Sequence, residues 1–178
     1  MNRRLRHWLI AGGLIAYPTE SCYGLGCHPH HAAALLRLLR LKRRPAHKGL
    51  IVIADHAQRF GRLLALGAIH SAQTWVEQWP AALTVLLPKG PASLYRLKGK
   101  HPKLAVRVPD HAGARRVCQQ AGMALVSTSA NQAGKKSIKT ARECQRQFGR
   151  HVWVLPGRIG KRRAPSTIID PDNGQRLR

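Results

Sequence analysis

A run of small polar residues after an apolar segment is the strongest indication of chemistry in this sequence. Residues 124–126 (Ala-Leu-Val) are typical of a short buried strand, and they are followed by Ser127, Thr128, Ser129 and, after an alanine, Asn131. Hydroxyl and amide groups at a strand end can direct hydrogen-bond donors and acceptors into a cleft. A serine nucleophile is not predicted, because the Gly-x-Ser-x-Gly and Ser-x-x-Lys patterns are absent.

A second candidate group consists of cations that follow an apolar, helix-like segment. Lys42, Arg44 and Lys48 lie just beyond the pattern of residues 32–41. Arginine offers a planar fork to phosphate oxygens and lysine a point charge, so these residues suit a triphosphate. Taken alone, they are equally typical of cations that stabilise a helix C-terminus. Combined with the hydroxyls, and without a pair of carboxylates, they favour a nucleotide-using enzyme over acid–base hydrolysis.

A polar and glycine-containing segment follows the first predicted strand, at residues 17–26. Thr19 and Ser21 can donate and accept hydrogen bonds, while Gly24 and Gly26 allow a ligand to approach the backbone. The alternative is a plain polar connection between a strand and a helix. The segment lacks the third glycine of a dinucleotide fingerprint, and the chain has no Gly-x4-Gly-Lys-Ser/Thr phosphate loop.

One arginine, Arg107, lies within an apolar strand predicted at residues 104–108. A charge in such a strand needs a partner, so we expect Arg107 to meet a carboxylate or phosphate of a substrate. The alternative is an ion pair within the protein, although only seven acidic residues exist to supply one. A late loop, 161–165, leads Ser166 into another predicted strand, a pattern of little weight by itself.

The composition indicates a globular protein with an unusually basic surface. The chain has 178 residues, 44% of them hydrophobic, and 31 Lys and Arg against 7 Asp and Glu give a net charge of +24. This length suits one domain, residues 1–178. Such a surface attracts polyanions, nucleic acid first, although an organism with generally basic proteins would give the same balance. We expect RNA contacts to be through phosphates, because no RNA-binding module signature is present.

The sequence also bears on cellular location and metal binding. No apolar run reaches the roughly 18 residues of a membrane span, and the apolar part of the N-terminus is too short for a signal peptide. We therefore expect a cytoplasmic protein with free thiols. Cys22 and Cys27 lie near three histidines, but their spacing does not match a zinc knuckle, so no metal site is predicted.

Apolar strands and amphipathic helices alternate along the chain and predict an α/β protein. Strands are expected at 14–17, 50–53, 83–87, 104–108, 124–127, 152–155 and 166–170, and helices at 5–12, 32–41, 55–66, around 75–79, at 110–120 and at 140–149. Asp55 and Asp110 are expected to begin two of these helices, and Thr140 with Glu143 forms a capping box. The interleaving favours one mixed sheet that is largely buried.

Six segments, taken together, resemble the YrdC/TsaC family of threonylcarbamoyl-AMP synthases. They occur in the family's order: residues 17–26, residues 41–53, Trp79-Pro-Ala-Ala-Leu-Thr, Leu104-Ala-Val-Arg-Val-Pro-Asp-His, Val126-Ser-Thr-Ser-Ala-Asn-Gln-Ala-Gly and Pro165-Ser-Thr-Ile-Ile-Asp. Each is weak alone, but six in order over nearly the whole chain are specific. One departure is Ala81-Ala82, which stands where the family usually has Gly-Pro.

The resemblance implies a fold, a reaction and a set of site residues. The fold would be a twisted, mixed parallel and antiparallel α/β sheet with flanking helices around a deep basic groove. L-threonine, bicarbonate and ATP, accompanied by Mg²⁺, would give threonylcarbamoyl-AMP and pyrophosphate. The family's Lys-x-Arg and Ser-x-Asn signatures fall on the residues Lys42, Arg44, Ser129 and Asn131. Lys48 and Ser137 would join them on the ATP side, and the threonine side would hold Thr19, Arg107, Ser127 and Ser166.

The resemblance also implies partners, and it leaves alternatives. A partner enzyme, the threonylcarbamoyl transferase complex, would pass the group to an adenosine of tRNA, so contact with tRNA or double-stranded RNA is expected. The main alternative is a noncatalytic RNA-binding or ribosome-maturation factor that uses the same basic groove. A further alternative is a carbamoyltransferase-associated domain. The ordered polar motifs favour the enzyme, because binding to an RNA backbone needs only cations.

Overall fold

Nine strands form one mixed sheet in a computed structural model, which describes residues 1–178. The strands are β1 (Ile15–Pro18), β2 (Tyr23–Cys27), β3 (Ile51–Ile53), β4 (Leu83–Pro88), β5 (Lys103–Arg107), β6 (Leu125–Ser129), β7 (Trp153–Val154), β8 (Thr167–Asp170) and β9 (Gln175–Arg176). Their order across the sheet is β7-β1-β2-β6-β3-β5-β4-β8-β9. Three neighbouring pairs are parallel (β1 with β7, β3 with β5, β4 with β8), and the other five are antiparallel. The predicted mixed sheet with flanking helices is confirmed.

The helices flank both faces of this sheet. They are α1 (Arg3–Ile10), α2 (Ala32–Lys42), α3 (Ala68–Ser71), α4 (Gln73–Val76), α5 (Tyr95–Lys98), α6 (Ala112–Ala121) and α7 (Ala141–Phe148), with 3₁₀ turns at Ala46–Lys48 and Ala57–Leu63. The predicted capping box begins α7: the Thr140 hydroxyl accepts from the backbone N–H of Glu143, whose carboxylate accepts from the Thr140 N–H. Helix α6 ends at Gly122, in the left-handed region with φ 66°, as the sequence predicted.

Apolar side chains cover both faces of the sheet. Neighbouring residues of one strand belong to different clusters: Ile15 and Tyr17 pack with α1 and α6, whereas Leu14 and Ala16 belong to the larger cluster on the other face. Ile53 and Val52 are divided in the same way. Because side chains alternate between the two faces of a strand, a strand apolar at every position must be buried on both.

Several sequence predictions are wrong in detail. The connection expected after β1 contains a strand, β2, that makes a hairpin with β1. The sequence did not reveal it, because Gly24 and Gly26 interrupt its apolar residues. The helix expected at residues 55–66 is a 3₁₀ segment at Ala57–Leu63, which Gly61 (φ 44°) interrupts. The helix expected around 75–79 is only Gln73–Val76.

The two aspartates expected to cap helices do not do so. His111, rather than Asp110, caps α6, its ring Nδ1 accepting from the backbone N–H of Ala114. The carboxylate of Asp55 is instead held by Arg59, four residues further along. At α6 a neighbouring side chain provides the cap, whereas the 3₁₀ turn Ala57–Leu63 has no side-chain cap.

Candidate active site: an arginine-lined cavity above the central strands

A polar cavity of about 160 Å³ lies where the β1–β2 turn and strands β2, β5 and β6 meet the loop before β8. It is lined by Thr19, Glu20, Ser21, Cys22, Gly24, Arg44, Leu50, Ile51, Arg107, Ser127, Thr128, Ser129, Arg162, Ala164, Pro165, Ser166 and Arg178. The motifs that the sequence singled out are far apart along the chain, from Thr19 to Ser166, yet most of them contribute residues to the lining of this one cavity. The deep basic groove remains a prediction, since what the structure describes is this smaller cavity.

Four arginines and one carboxylate set the charge of the cavity. The arginines are Arg44, Arg107, Arg162 and Arg178, and Glu20 is the one acidic residue of the lining. Partial burial and the nearby charges of Arg107 and Arg44 lower the pKa of Arg178. Because the charges of Arg107 and Arg44 act on Arg178, these three cations are close together, and the cavity is suited to an anion.

Hydroxyl groups line the same space, each oriented by a neighbour. The Thr19 hydroxyl donates to the backbone oxygen of Cys22 (2.8 Å), which holds the turn between β1 and β2. The Ser166 hydroxyl lies 2.8 Å from the hydroxyl of the fully buried Thr84. Strand β6 continues to Ser129, two residues past the predicted end at residue 127, so Ser127 and Ser129 both lie within it.

Gly24 keeps the cavity open on the side of strand β2. A Cβ atom at this position would lie 3.2 Å from the Thr19 methyl group and 3.5 Å from the Ser127 hydroxyl. A larger side chain would therefore enter the space between two of the predicted ligand-binding residues. The sequence predicts that Gly24 allows a ligand to approach the backbone closely, and the position of Gly24 in the structure supports that interpretation.

Lys42 lies beneath the cavity and does not line it. Lys42 is 3% exposed. Its ammonium group donates to the backbone oxygen of Ser129, to that of Asn131 (2.7 Å) and, more weakly, to the Asn131 side-chain oxygen (3.5 Å). Burial, with a further contribution from the charge of Arg44, lowers the pKa of Lys42 to about 8. All three donors are thus used to hold the end of β6.

Asn131 continues this arrangement beyond β6. Its side-chain oxygen accepts from the hydroxyl of Ser129 (2.5 Å), and its amide nitrogen donates to the backbone oxygen of Lys135 (2.8 Å). The Ser-x-Asn signature is therefore a folded turn that ties the last residue of β6 to the following loop. Ser137, predicted on the nucleotide side, is exposed in that loop and does not line the cavity.

Arg44 separates the cavity from a second one. Its guanidinium donates to the backbone oxygens of Gly49 (2.9 Å) and Lys48 (3.3 Å), and burial lowers its pKa. The neighbouring cavity, about 210 Å³, shares Arg44 and Arg178 and adds Lys48 to its lining. Lys48 thus lines the neighbouring cavity, on the other side of Arg44 from the hydroxyl groups.

Arg107 forms an ion pair within the protein, the alternative left open by the sequence, although acidic residues are scarce in this chain. Its two terminal nitrogens donate to the two carboxylate oxygens of Glu20, at 2.8 and 3.1 Å, and both residues are buried. The backbone N–H of Asp110 also donates to Glu20 (3.1 Å). The ion pair leaves Arg107 facing the cavity, because both partners are part of its lining.

The structure thus brings together six of the ten predicted site residues and separates four. Those lining the cavity are Thr19, Arg44, Arg107, Ser127, Ser129 and Ser166. Lys42 and Asn131 support it from below, Lys48 lines the neighbouring cavity, and Ser137 is apart from both. Sequence reasoning missed Glu20, Arg162 and Arg178, although the abundance of arginine and scarcity of acids made any carboxylate near the motifs worth noting.

The residues present do not form a metal site. No group of three or more His, Cys, Asp or Glu side chains is arranged to hold an ion. Glu20, the one carboxylate of the cavity, is already engaged by Arg107 and Asp110. A Mg²⁺ ion would therefore have to be held by phosphate oxygens and water.

The fold and the cavity define an α/β protein in which hydroxyl groups and arginines line one small polar cavity. None of its helices has the length and apolar character required to cross a bilayer. Residues 7–178 match the family model Sua5_yciO_yrdC, described as telomere recombination, and the chain belongs to this family.

Curated relatives resemble the chain over nearly its full length. A threonylcarbamoyl-AMP synthase of Neisseria gonorrhoeae is 53% identical over 178 residues, which are 99% of this chain and 94% of the relative. A protein of the same name from Methylobacillus flagellatus is 51% identical over 176 residues, 99% of this chain and 98% of the relative. The chain is therefore related to enzymes, in agreement with the resemblance found in the six motifs.

Solved structures share the fold. Sua5 of P. abyssi in complex with L-threonine superimposes with a TM-score of 0.83 at 28% identity, and the match covers 94% of this chain and 50% of that one. This chain thus spans about half the length of Sua5. E. coli YciO, with a TM-score of 0.74 at 22% identity over 94% of this chain and 82% of that one, shows the same fold.

Proposed function

We propose that this chain forms threonylcarbamoyl-AMP and pyrophosphate from L-threonine, bicarbonate and ATP. The observation that carries the proposal is the single cavity that joins Arg107, Thr19, Ser127 and Ser166 to Arg44 across the sheet. One side of this space suits an amino acid, and the other opens towards further cations that suit phosphates. The names of the curated relatives and the threonine complex of Sua5 support the same reaction.

The chemistry needs alignment and charge neutralisation rather than a protein nucleophile. The amine of threonine attacks bicarbonate, and loss of water gives a carbamate. A carbamate oxygen then attacks the α-phosphorus of ATP, the bond to the β-phosphate oxygen breaks, and pyrophosphate leaves. Three anionic reactants must be held close together, which positioned arginines and hydroxyls promote by offsetting charge and fixing orientation.

The threonine side of the proposed site is the floor of the cavity. Arg107 would bind the threonine carboxylate, while Thr19, Ser127 and Ser166 would orient its amine and hydroxyl. At about 160 Å³ the cavity is smaller than the roughly 300–1,000 Å³ of pockets for drug-sized ligands, which favours a small amino acid over a whole nucleotide.

The nucleotide side would begin at Arg44. We place the phosphates along Arg44, with Lys48 in the adjoining cavity and Ser129 opposite, and Ser137 near the nucleoside. Lys42 has a revised role in this proposal, because its donors are already used: it would act by holding Ser129 and Asn131. Asn131 would in turn orient the hydroxyl of Ser129 towards the nucleotide.

The experiment that tests the proposal measures pyrophosphate released from ATP by the purified protein with bicarbonate and Mg²⁺, with and without L-threonine. Release that requires L-threonine and bicarbonate supports the proposed reaction. An Arg44→Met variant should lose it, because Arg44 is the cation shared by the two cavities. Release that is independent of threonine, or full activity of Arg44→Met, would contradict the proposal.

A second function, contact with RNA, is favoured by the net charge of +24. We propose that the basic surface meets the phosphates of tRNA or of double-stranded RNA, and that a threonylcarbamoyl transferase complex uses the product in the cytoplasm. Binding measured against salt concentration tests the RNA contact, because each neutralised phosphate steepens the dependence. A salt-independent affinity, or no binding at low salt, would contradict it.

A further inference from the structure

Glu20 has no role in the reaction as proposed above, although it lies in the cavity beside Arg107. It is the only acidic residue among the lining side chains, and it is 7% exposed. A carboxylate beside four arginines does not improve a site that has only to attract anions, since it removes one positive charge from it. Its presence therefore calls for a specific role.

The donors of Arg107 indicate what that role is. A guanidinium has five N–H groups in a fixed planar arrangement. Glu20 accepts from one N–H on each terminal nitrogen, and the Nε–H of Arg107 is buried without any partner. The pair thus fixes the plane of the guanidinium, and the second N–H of each terminal nitrogen is not used by Glu20 and remains for a ligand.

Glu20 is itself held from several directions. Besides the two bonds from Arg107, its carboxylate accepts from the backbone N–H of Asp110 (3.1 Å). Its backbone oxygen accepts from the N–H of Arg162 (3.2 Å), and the preceding residue, Thr19, accepts from the N–H of Gly160 (2.9 Å). These contacts join the β1–β2 turn, the end of β5 and the loop before β8 at one point.

Without Glu20, Arg107 would have no fixed orientation. Arg44 and Arg178 lie near enough for their charges to act on the same region, and like charges would turn the guanidinium away from them. The side chain of arginine has many rotamers, and a carboxylate that binds two nitrogens at once restricts them.

We infer that Glu20 is a positioning residue that orients Arg107 for the carboxylate of L-threonine, an inference that rests on the proposed function. Glu20 acts through Arg107 and not through the reacting atoms. Its removal should weaken the interaction with the amino-acid carboxylate selectively, and leave contacts to the rest of the amino acid unchanged.

The test compares two ligands with two variants by calorimetric titration. The ligands are L-threonine and L-threoninamide, which lacks the negative carboxylate. The variants are Glu20→Gln, nearly the same in shape, and Glu77→Gln, the same change at an exposed carboxylate outside the cavity. Far-ultraviolet circular dichroism at each titration temperature verifies that the proteins are folded.

The expected result is selective. Glu20→Gln should weaken L-threonine binding roughly 10–100-fold, by analogy with the loss when a residue that orients a metal ligand is removed. Its affinity for L-threoninamide should stay within about twofold of the wild type, and Glu77→Gln should change neither. If Glu20→Gln does not fold, Glu20→Asp, which keeps the charge but shortens the reach, gives the same comparison with a smaller loss.

Two results would overturn the inference. One is an unchanged affinity of the folded Glu20 variant for L-threonine. The other is an equal loss for both ligands, which would mean that Glu20 binds the ammonium group or only supports the fold. Failure of the wild-type protein to bind L-threonine would instead refute the proposed function, and the inference with it, so the two failures are distinguishable.

Discussion

Replacing Lys42 by methionine tests whether this lysine acts by holding the end of strand β6. The two side chains are similar in length, but methionine can neither donate to Ser129 and Asn131 nor carry a charge. Lys42 is buried and its ammonium faces backbone oxygens rather than the cavity. We therefore expect a folded protein with misplaced Ser129 and Asn131 side chains and strongly reduced synthesis.

The change in stability can be estimated from the contacts. Hydrogen bonds to a charged group contribute about 1.5–3 kcal/mol each, so losing those to the Ser129 and Asn131 backbone oxygens costs about 3–6 kcal/mol. Against this, lowering the pKa of Lys42 from 10.5 to about 8 reflects an unfavourable burial of about 3 kcal/mol that methionine avoids. The net loss, about 0–3 kcal/mol, is smaller than the about 5–15 kcal/mol that stabilise a typical domain.

The effect on catalysis should be larger. A displacement of about 1 Å in a positioned group reduces a rate by about 10²-fold, and Ser129 and Asn131 would both lose their support. The assay is threonine-dependent pyrophosphate release, with unfolding in urea measured in parallel. Lys89→Met, the same change at an exposed lysine outside the cavities, is the matched control and should behave as the wild type.

A double substitution separates support from direct binding of phosphate. If Lys42 acts through Asn131, the losses in kcat/KM for Lys42→Met and Asn131→Ala should be far from additive in the double variant. Additive losses would refute the reasoning, because they would mean that Lys42 contributes independently of Asn131. So would a Lys42→Met protein with wild-type kcat/KM, or one that is unfolded at 25 °C.

The remaining predictions concern neighbouring parts of the site. Burial lowers the pKa of Lys42 to about 8, so between pH 8 and 10.5 the unfolded chain keeps a proton that the folded chain has lost. The unfolding free energy of the wild type should therefore rise with pH over that range, relative to Lys42→Met. Urea titrations that show a fall would contradict this sign. Thr84→Val removes the hydroxyl bonded to Ser166 and should lower the unfolding free energy by about 1 kcal/mol and raise the KM for threonine; an unchanged KM would argue against a role for that bond. Gly160→Ala places a Cβ 2.7 Å from the Glu20 backbone oxygen, so threonine binding should weaken with little change in Tm, and equal affinity by calorimetry would show that the loop adapts.

Much of the fold could be predicted because its signals are local. The apolar runs of β3, β5 and β6, the spacing of leucines in α2 and the capping box of α7 each depend on residues within a few positions of one another. Strand β2 and the 3₁₀ turn at Ala57–Leu63 were not predicted, because no local pattern specifies them. Their form depends on a hairpin partner and on one glycine's backbone angle, which no periodicity reveals.

The sequence by itself determined the family resemblance, the basic charge and six of the residues that line the cavity, since motifs and residue types can be read without coordinates. Only the tertiary structure decided how those side chains are used. Glu20 and Arg107 are 87 positions apart, and Lys42 and Asn131 are 89 apart. Which donor meets which acceptor over such separations is set by strand order and register, and these place Lys42 beneath the cavity and give Arg107 a carboxylate partner.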